Sequence, residues 1–223
     1  MRDGVAAAQS FYTRWARAYD VLARHAPGVT ALRERAVGAL APERGDAVVE
    51  MGCGTGANLP HLRDRVGPDG TVVGVDFAPG ALTVARRRTA AWPNVQVVRG
   101  DAARPPVAAA DRVLATFVVG MLPDPAAAVR DWAALAAPGG RVALLDLART
   151  TRPLARPLNP LFRALACAFA PPGTGARHDS PSRTLDRRVA AAHRAALDAT
   201  DPDERSTHAL GFARLVAGRV RDD

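Results

Sequence analysis

The 223-residue sequence predicts an α/β fold, a doubly wound and mostly parallel sheet with helices on both faces. Three observations carry this expectation. Short valine-rich runs recur near positions 46–51, 71–77, 95–99, 111–119 and 138–146, and stretches with helical spacing separate them. Several runs end in an acidic residue or pass directly into Gly or Gly-Asp. Alternating strands and helices imply right-handed crossovers, and hence parallel strands whose carboxyl ends converge on one crevice.

The elements follow in order. Ser10 to Ala26 reads as an amphipathic helix with Phe11, Trp15, Ala18 and Leu22 on one face, ended by Pro27-Gly28. A second helix spans Thr30 to Leu40, with Thr30 as its expected cap and Pro42 just beyond. Asp46-Ala-Val-Val-Glu50 is the first strand, and Leu59, Leu62 and Val66 mark the helix after it. Thr71 to Phe77, Val95 to Arg99 and Asp111 to Val119 are the next three strands. A helix over Ala126 to Ala136 precedes a fifth strand, Pro138 to Asp146.

Beyond it, five prolines (153, 157, 160, 171, 172) enclose an apolar stretch, Leu158 to Ala170, with Leu158, Leu161, Phe162, Leu165 and Phe169 on one helical face. A lid or surface-contacting helix and an ordinary helix packed on the sheet both fit this pattern. Leu185 to Ala199 reads as a helix and Leu210 to Ala217 as a closing strand, while no antiparallel hairpin is clearly written there. The expected organisation is one domain over 1–223: N-terminal helices (1–44), a core (45–150), the lid-like segment (151–180), and a C-terminal helix with closing strand (181–223).

The chemistry concentrates in Glu50-Met-Gly52-Cys-Gly54-Thr-Gly56. Glycines let the backbone turn sharply or approach a ligand, and the helix that follows offers free N–H groups to a polar group. The spacing is Gly-x-Gly-x-Gly, whereas the dinucleotide fingerprint is Gly-x-Gly-x-x-Gly; Ala57 at the place of its third glycine does not exclude it. Asp76, twenty residues beyond Gly56, stands where an acid would bind ribose hydroxyls in either cofactor class.

Taken in order, Glu50 to Gly56, Gly74-Val-Asp76, Gly100-Asp101-Ala102 and Ala137-Pro-Gly-Gly140 resemble the motifs of class I S-adenosylmethionine-dependent methyltransferases, a Rossmann-like family, over roughly Ser10 to Asp146. Within the class the chain is most similar to the ubiquinone and menaquinone biosynthesis methyltransferases, through Phe11 to Asp20 and Arg152 to Phe162. The resemblance implies S-adenosyl-L-methionine as cofactor. Asp76 would accept from the ribose, Asp101 and the Ala102 N–H would meet the adenine edge, and Phe77 would pack nearby. Glu50 and the backbone of Gly52, Gly54 and Gly56 would surround the methionine tail, with Thr55 and Thr116 as polar contacts.

One departure stands out. The quinone enzymes carry Arg-Asn after the fourth strand, and Gly120-Met121 stands here. The expected acceptor is a small, apolar or lipid-like molecule of quinone-precursor type, although this departure speaks against a quinone itself.

Methyl transfer from a sulfonium needs in-line positioning and exclusion of water rather than a protein nucleophile. An acceptor that must lose a proton would need a base. The candidates are His25, His61, His178, His193, His208, Tyr12, Tyr19 and Asp146, and none is assigned a catalytic role. No metal site is expected.

The chain has 30 basic residues, all arginine, against 22 acidic ones, for a formal charge of +8. The arginines are dispersed apart from Arg86-Arg87-Arg88 and Arg187-Arg188, and no RNA-binding module accompanies them, so nucleic acid ranks low as a partner. Peripheral contact with an anionic membrane stays open. Cys53 and Cys167 have neither metal nor disulfide spacing, and no secretory signal or membrane-spanning run is evident, so the expected location is cytoplasmic. Cys53 is expected to pack beneath the cofactor rather than to react. The alternatives carried forward are an NAD-dependent oxidoreductase on a related fold, an RNA-modifying methyltransferase and a non-catalytic cofactor-binding partner subunit.

Overall fold

The computed structural model describes residues 28–168 and 181–221. The expected helix over Ser10 to Ala26, and with it Tyr12, Tyr19, His25, Phe169 and His178, lies outside the described residues.

Seven strands form one sheet: β1 (Ala47–Met51), β2 (Thr71–Asp76), β3 (Val95–Arg99), β4 (Ala110–Thr116), β5 (Ala136–Leu147), β6 (Thr200–His208) and β7 (Ala213–Val220). Their order is β3-β2-β1-β4-β5-β7-β6. The first five are mutually parallel, while β7 runs antiparallel to both β5 and β6. The dinucleotide-binding order 3-2-1-4-5-6 has no such reversed strand, so this sheet departs from it at its last edge.

The sheet is buried on both faces, and the period-2 alternation of each strand sorts side chains into two cores. Val48, Val72, Leu114, Leu145 and Leu215 pack beneath α1 (Val29–Leu40), α2 (Leu59–Val66) and α3 (Pro79–Thr89), through Val37, Leu62, Leu82 and Ala85. Val49, Val75, Val113, Leu144 and Val216 face the opposite way, against Val129 and Trp132 of α4 (Pro125–Leu135) and Val189 and Ala192 of α6 (Pro181–Ala199). Trp132 is fully buried, and its indole N–H donates to the Ala102 carbonyl at 2.7 Å. Such a bond satisfies the one polar atom of an otherwise apolar side chain.

Several boundaries differ from the sequence expectation. Thr30 does not cap its helix: the N-cap is Gly28 in a left-handed conformation, with no side-chain cap bond. Asp124 does cap α4, its carboxylate accepting from the Ala127 N–H at 2.9 Å. The Ala137-Pro-Gly-Gly140 loop lies inside β5, as an irregularity between the pairs Ala110–Ala136 and Arg112–Arg141. The antiparallel hairpin is present, with β6 as its unanticipated edge strand.

The apolar stretch after β5 is a 3₁₀ turn, Pro153–Leu158, followed by α5 (Asn159–Ala168), which packs against α6 and that turn. Phe162 is half-buried and stacks on Phe212 at 5.2 Å between ring centroids, whereas Leu158, Leu161 and Leu165 are exposed. Of the two readings that fit the sequence, the exposed leucines favour a surface-contacting helix over one packed on the sheet; among the described residues of that face, Phe162 alone turns inward.

Candidate functional site

β1 delivers Glu50 to the carboxyl edge of the sheet, and the chain then turns through Gly52 and Gly54, both in the left-handed region at φ 66° and 55°. A side chain at either would be strained. At Gly52 a Cβ would lie 2.5 Å from the Val118 Cγ2, so the turn closes tightly on the end of β4; at Gly54 nothing lies within 4 Å, which leaves that backbone open.

Asp76, at the end of β2, clasps this turn. Its Oδ2 accepts from the Gly54 N–H and its Oδ1 from the Ala78 N–H, both at 2.8 Å. The carboxyl is buried, and desolvation raises its pKa against the opposing pull of those backbone bonds. The Phe77 backbone N–H adds a third such bond, which leaves the carboxylate about one further acceptor direction.

A second polar cluster stands across the opening. Arg33 of α1 donates to Thr116 Oγ1 at 3.1 Å and to Asn58 Oδ1 at 3.3 Å, with its guanidinium 5.1 Å from the Phe117 ring centroid. Asn58 in turn donates to Thr116 Oγ1 at 2.9 Å and to Glu50 Oε1 at 2.5 Å. Glu50 is fully buried, and its Oε2 has no hydrogen-bond partner. Burial pushes its pKa up to about 7, with Arg33 and Asn58 pulling it down and Asp76 adding to the rise. Glu50 therefore anchors a chain of contacts, Glu50–Asn58–Thr116–Arg33, that fixes a cation at the site.

Between these clusters lies an open cleft. Of the residues expected from sequence, Gly52, Gly54, Thr55, Asp76, Phe77 and Thr116 line it. Glu50 and Gly56 sit in or behind the turn. Asp101 and Ala102 are not brought into the lining: Asp101 is exposed, accepting from the Ala103 N–H at 2.9 Å, and Ala102 is buried with its carbonyl committed to Trp132. Cys53 also lines the cleft, and burial holds its thiol protonated by raising its pKa.

Sequence reasoning missed Arg33, Asn58, Phe117 and Met121. Arg33 and Thr116 are 83 residues apart, and no spacing pattern marks such a contact. The described base candidates stand away from the cleft lining. His193 Nε2 meets Asp146 Oδ2 at 3.1 Å and ties α6 to β5, His208 pairs with Ser206, and His61 lies on α2. Among the described residues, no group of three or more His, Cys, Asp or Glu could hold a metal, and no helix is long and apolar enough to cross a membrane.

A Rossmann-like sheet ending in a reversed hairpin, with an acid-clasped glycine turn at its carboxyl edge, defines the fold of the class I S-adenosylmethionine-dependent methyltransferases. A family model described as a methyltransferase domain matches residues 48–140, and that stretch is a methyltransferase domain of this class. A demethylmenaquinone methyltransferase of Staphylococcus aureus (strain JH9) is 31% identical over 132 residues, 58% of this chain and 55% of that protein. The chain thus matches little more than half the length of that relative. Two solved structures share the fold. One is a SAM-dependent methyltransferase from Aquifex aeolicus (TM-score 0.62, 16% identity, 87% of this chain and 94% of that one). The other is a complex of the Haloferax volcanii Trm112 methyltransferase activator with a putative methyltransferase (TM-score 0.70, 19% identity, 96% and 98%).

Proposed function

We propose that this protein is an S-adenosylmethionine-dependent methyltransferase whose acceptor is a small, apolar or lipid-like molecule. The observation that carries the reading is the division of charge across the cleft, with the buried Asp76 carboxylate on one side and the buried Arg33 guanidinium on the other. The cofactor offers a complementary set: ribose hydroxyls for a carboxylate and a tail carboxylate for a guanidinium.

The residues fit the group on two counts. The open face of Gly54 leaves space against the backbone, and the orphaned Glu50 Oε2 supplies negative charge behind the turn. Asp76 would accept from the ribose, Arg33 would pair with the tail carboxylate, and Phe77 and Ala81 would pack against the nucleoside. The bound cofactor supplies a methyl group on a sulfonium. The chain's own contribution is to hold the donor by both ends, align the acceptor beside Phe117 and Met121, and exclude water.

The relative's printed name and the apolar side chains of Phe117 and Met121 both favour an apolar acceptor. At the place of the missing Arg-Asn pair, a Cβ at position 120 would lie 2.2 Å from the Leu185 Cδ1 of α6, and Arg188 donates to the Gly120 carbonyl at 3.1 Å, so α6 packs close against this turn. Incubation with methyl-labelled S-adenosylmethionine and fractionated small-molecule, lipid and RNA pools tests this. Label in the lipid or small-molecule fraction supports the proposal; label confined to RNA, or in no pool, contradicts it.

A further inference from the structure

The carboxyl edge of the sheet carries a second feature that the cofactor cleft does not use. After β5 the chain is tied down by several contacts. Thr150 donates to the Leu210 carbonyl at 2.7 Å, Asn159 exchanges hydrogen bonds with the Thr150 backbone, Arg152 reaches Thr207, and Phe162 stacks on Phe212. These contacts fix α5 beside the β6–β7 turn, and because Leu147 pairs with Ala213, that turn lies at the same sheet edge as the cleft.

The orientation of α5 is inverted relative to a core helix. Asn159, Phe162 and Ala166 are its less exposed positions, and its outer face presents Leu161 and Leu165, 61% and 51% exposed. Leu158 and the 99% exposed Leu154 stand on the 3₁₀ turn just before it, and Leu210, held at φ 58°, stands exposed on the neighbouring turn. Solvent-facing leucines clustered on one segment mark a contact surface rather than random exposure.

Charge identifies the occupant. No Asp or Glu occurs between Asp146 and Asp179, while Arg149, Arg152, Arg156, Arg163 and Arg177 do. Arg156 and Arg163 are exposed and form no ion pair among the described residues. A second copy of this face would bring arginines against arginines. Nucleic acid would meet leucines, which give bases no stacking platform. An anionic lipid surface satisfies both components, taking leucine side chains into the acyl boundary and guanidinium groups at the phosphates.

We propose that Leu154, Leu158, Leu161 and Leu165, with Arg156 and Arg163, dock the protein on an anionic lipid surface and bring the cleft mouth, where Met121 is exposed, to that surface. This deepens the acceptor reading above, yet its test is independent of catalysis. The full chain is sedimented with vesicles of phosphatidylglycerol and phosphatidylcholine and with vesicles of phosphatidylcholine alone. Preferential binding to the anionic vesicles, weakened by salt, is expected. Arg156→Gln with Arg163→Gln should weaken it roughly 30-fold. Leu154→Asn with Leu161→Asn should weaken it at least about tenfold. Cofactor titration of the same variants should be unchanged, which separates failure of this proposal from failure of the methyltransferase reading. No preference for anionic vesicles, equal binding by the variants, or a wild-type dimer that the leucine substitutions dissociate would overturn it.

Discussion

Replacing Glu50 by Gln tests the buried network by its pH dependence. The substitution keeps the shape and the oxygen that accepts from Asn58 but removes the charge. In the folded protein the carboxyl titrates near 7, against 4.5 for an unperturbed glutamic acid, because burial disfavours the carboxylate more than Arg33 and Asn58 favour it. A folded pKa above the unfolded value means that this group imposes no penalty below about pH 4.5. Its cost grows as pH rises and levels off above about pH 7. The full difference is on the order of 3 kcal/mol, and most of it develops between about pH 5 and about pH 8. Asp76, also raised, titrates in both proteins and largely cancels in the comparison. Urea unfolding of both proteins across this range should show the difference in stability moving in favour of Glu50→Gln by that amount. Curves that stay parallel would refute the buried-carboxyl reasoning. A cationic ligand should hold Glu50 ionised, so binding near neutral pH should release protons in the wild type and not in the variant, read from the buffer dependence of the binding heat.

Three further outcomes follow from the same geometry. Gly52→Ala should destabilise the fold by roughly 1–3 kcal/mol in thermal unfolding, since its Cβ meets Val118 at 2.5 Å in a left-handed conformation, and adding Val118→Ala should recover part of the loss. Arg33→Gln should weaken cofactor binding at least about tenfold by calorimetry, through loss of the cation facing the tail carboxylate. Trp132→Phe should cost roughly 1–3 kcal/mol in urea unfolding, because it strands the buried Ala102 carbonyl.

The parallel core was readable because its strands are buried on both faces and therefore appear as continuous Val-rich runs, each ending at the edge where the ligand groups gather. Val48-Val49 and Val72-Val73 announce themselves in this way. The strand β6 was not readable. As an edge strand it carries Pro202 and the charges of Asp201, Asp203, Glu204 and Arg205, which protect an unpaired edge but resemble a loop in sequence. Its partner β7 was visible through Leu215 and Val216, which are buried. At the site, Asp76 and the glycines form a local pattern, whereas Arg33 reaches Thr116 through packing of α1 over β4, and Asn58, just before α2, reaches it because β1 pairs with β4. Gly100-Asp101 followed the motif order, yet the Asp101 carboxylate binds the backbone of its own turn.

The central claim, an S-adenosylmethionine site built around Asp76, is tested most directly by calorimetric titration of the wild type and Asp76→Asn with S-adenosylmethionine, with and without excess NAD. Saturable binding by the wild type, unaffected by NAD and weakened roughly tenfold to a hundredfold in Asp76→Asn, is the expected result. Saturable NAD binding without a response to S-adenosylmethionine, or equal affinity in the two proteins, would contradict it.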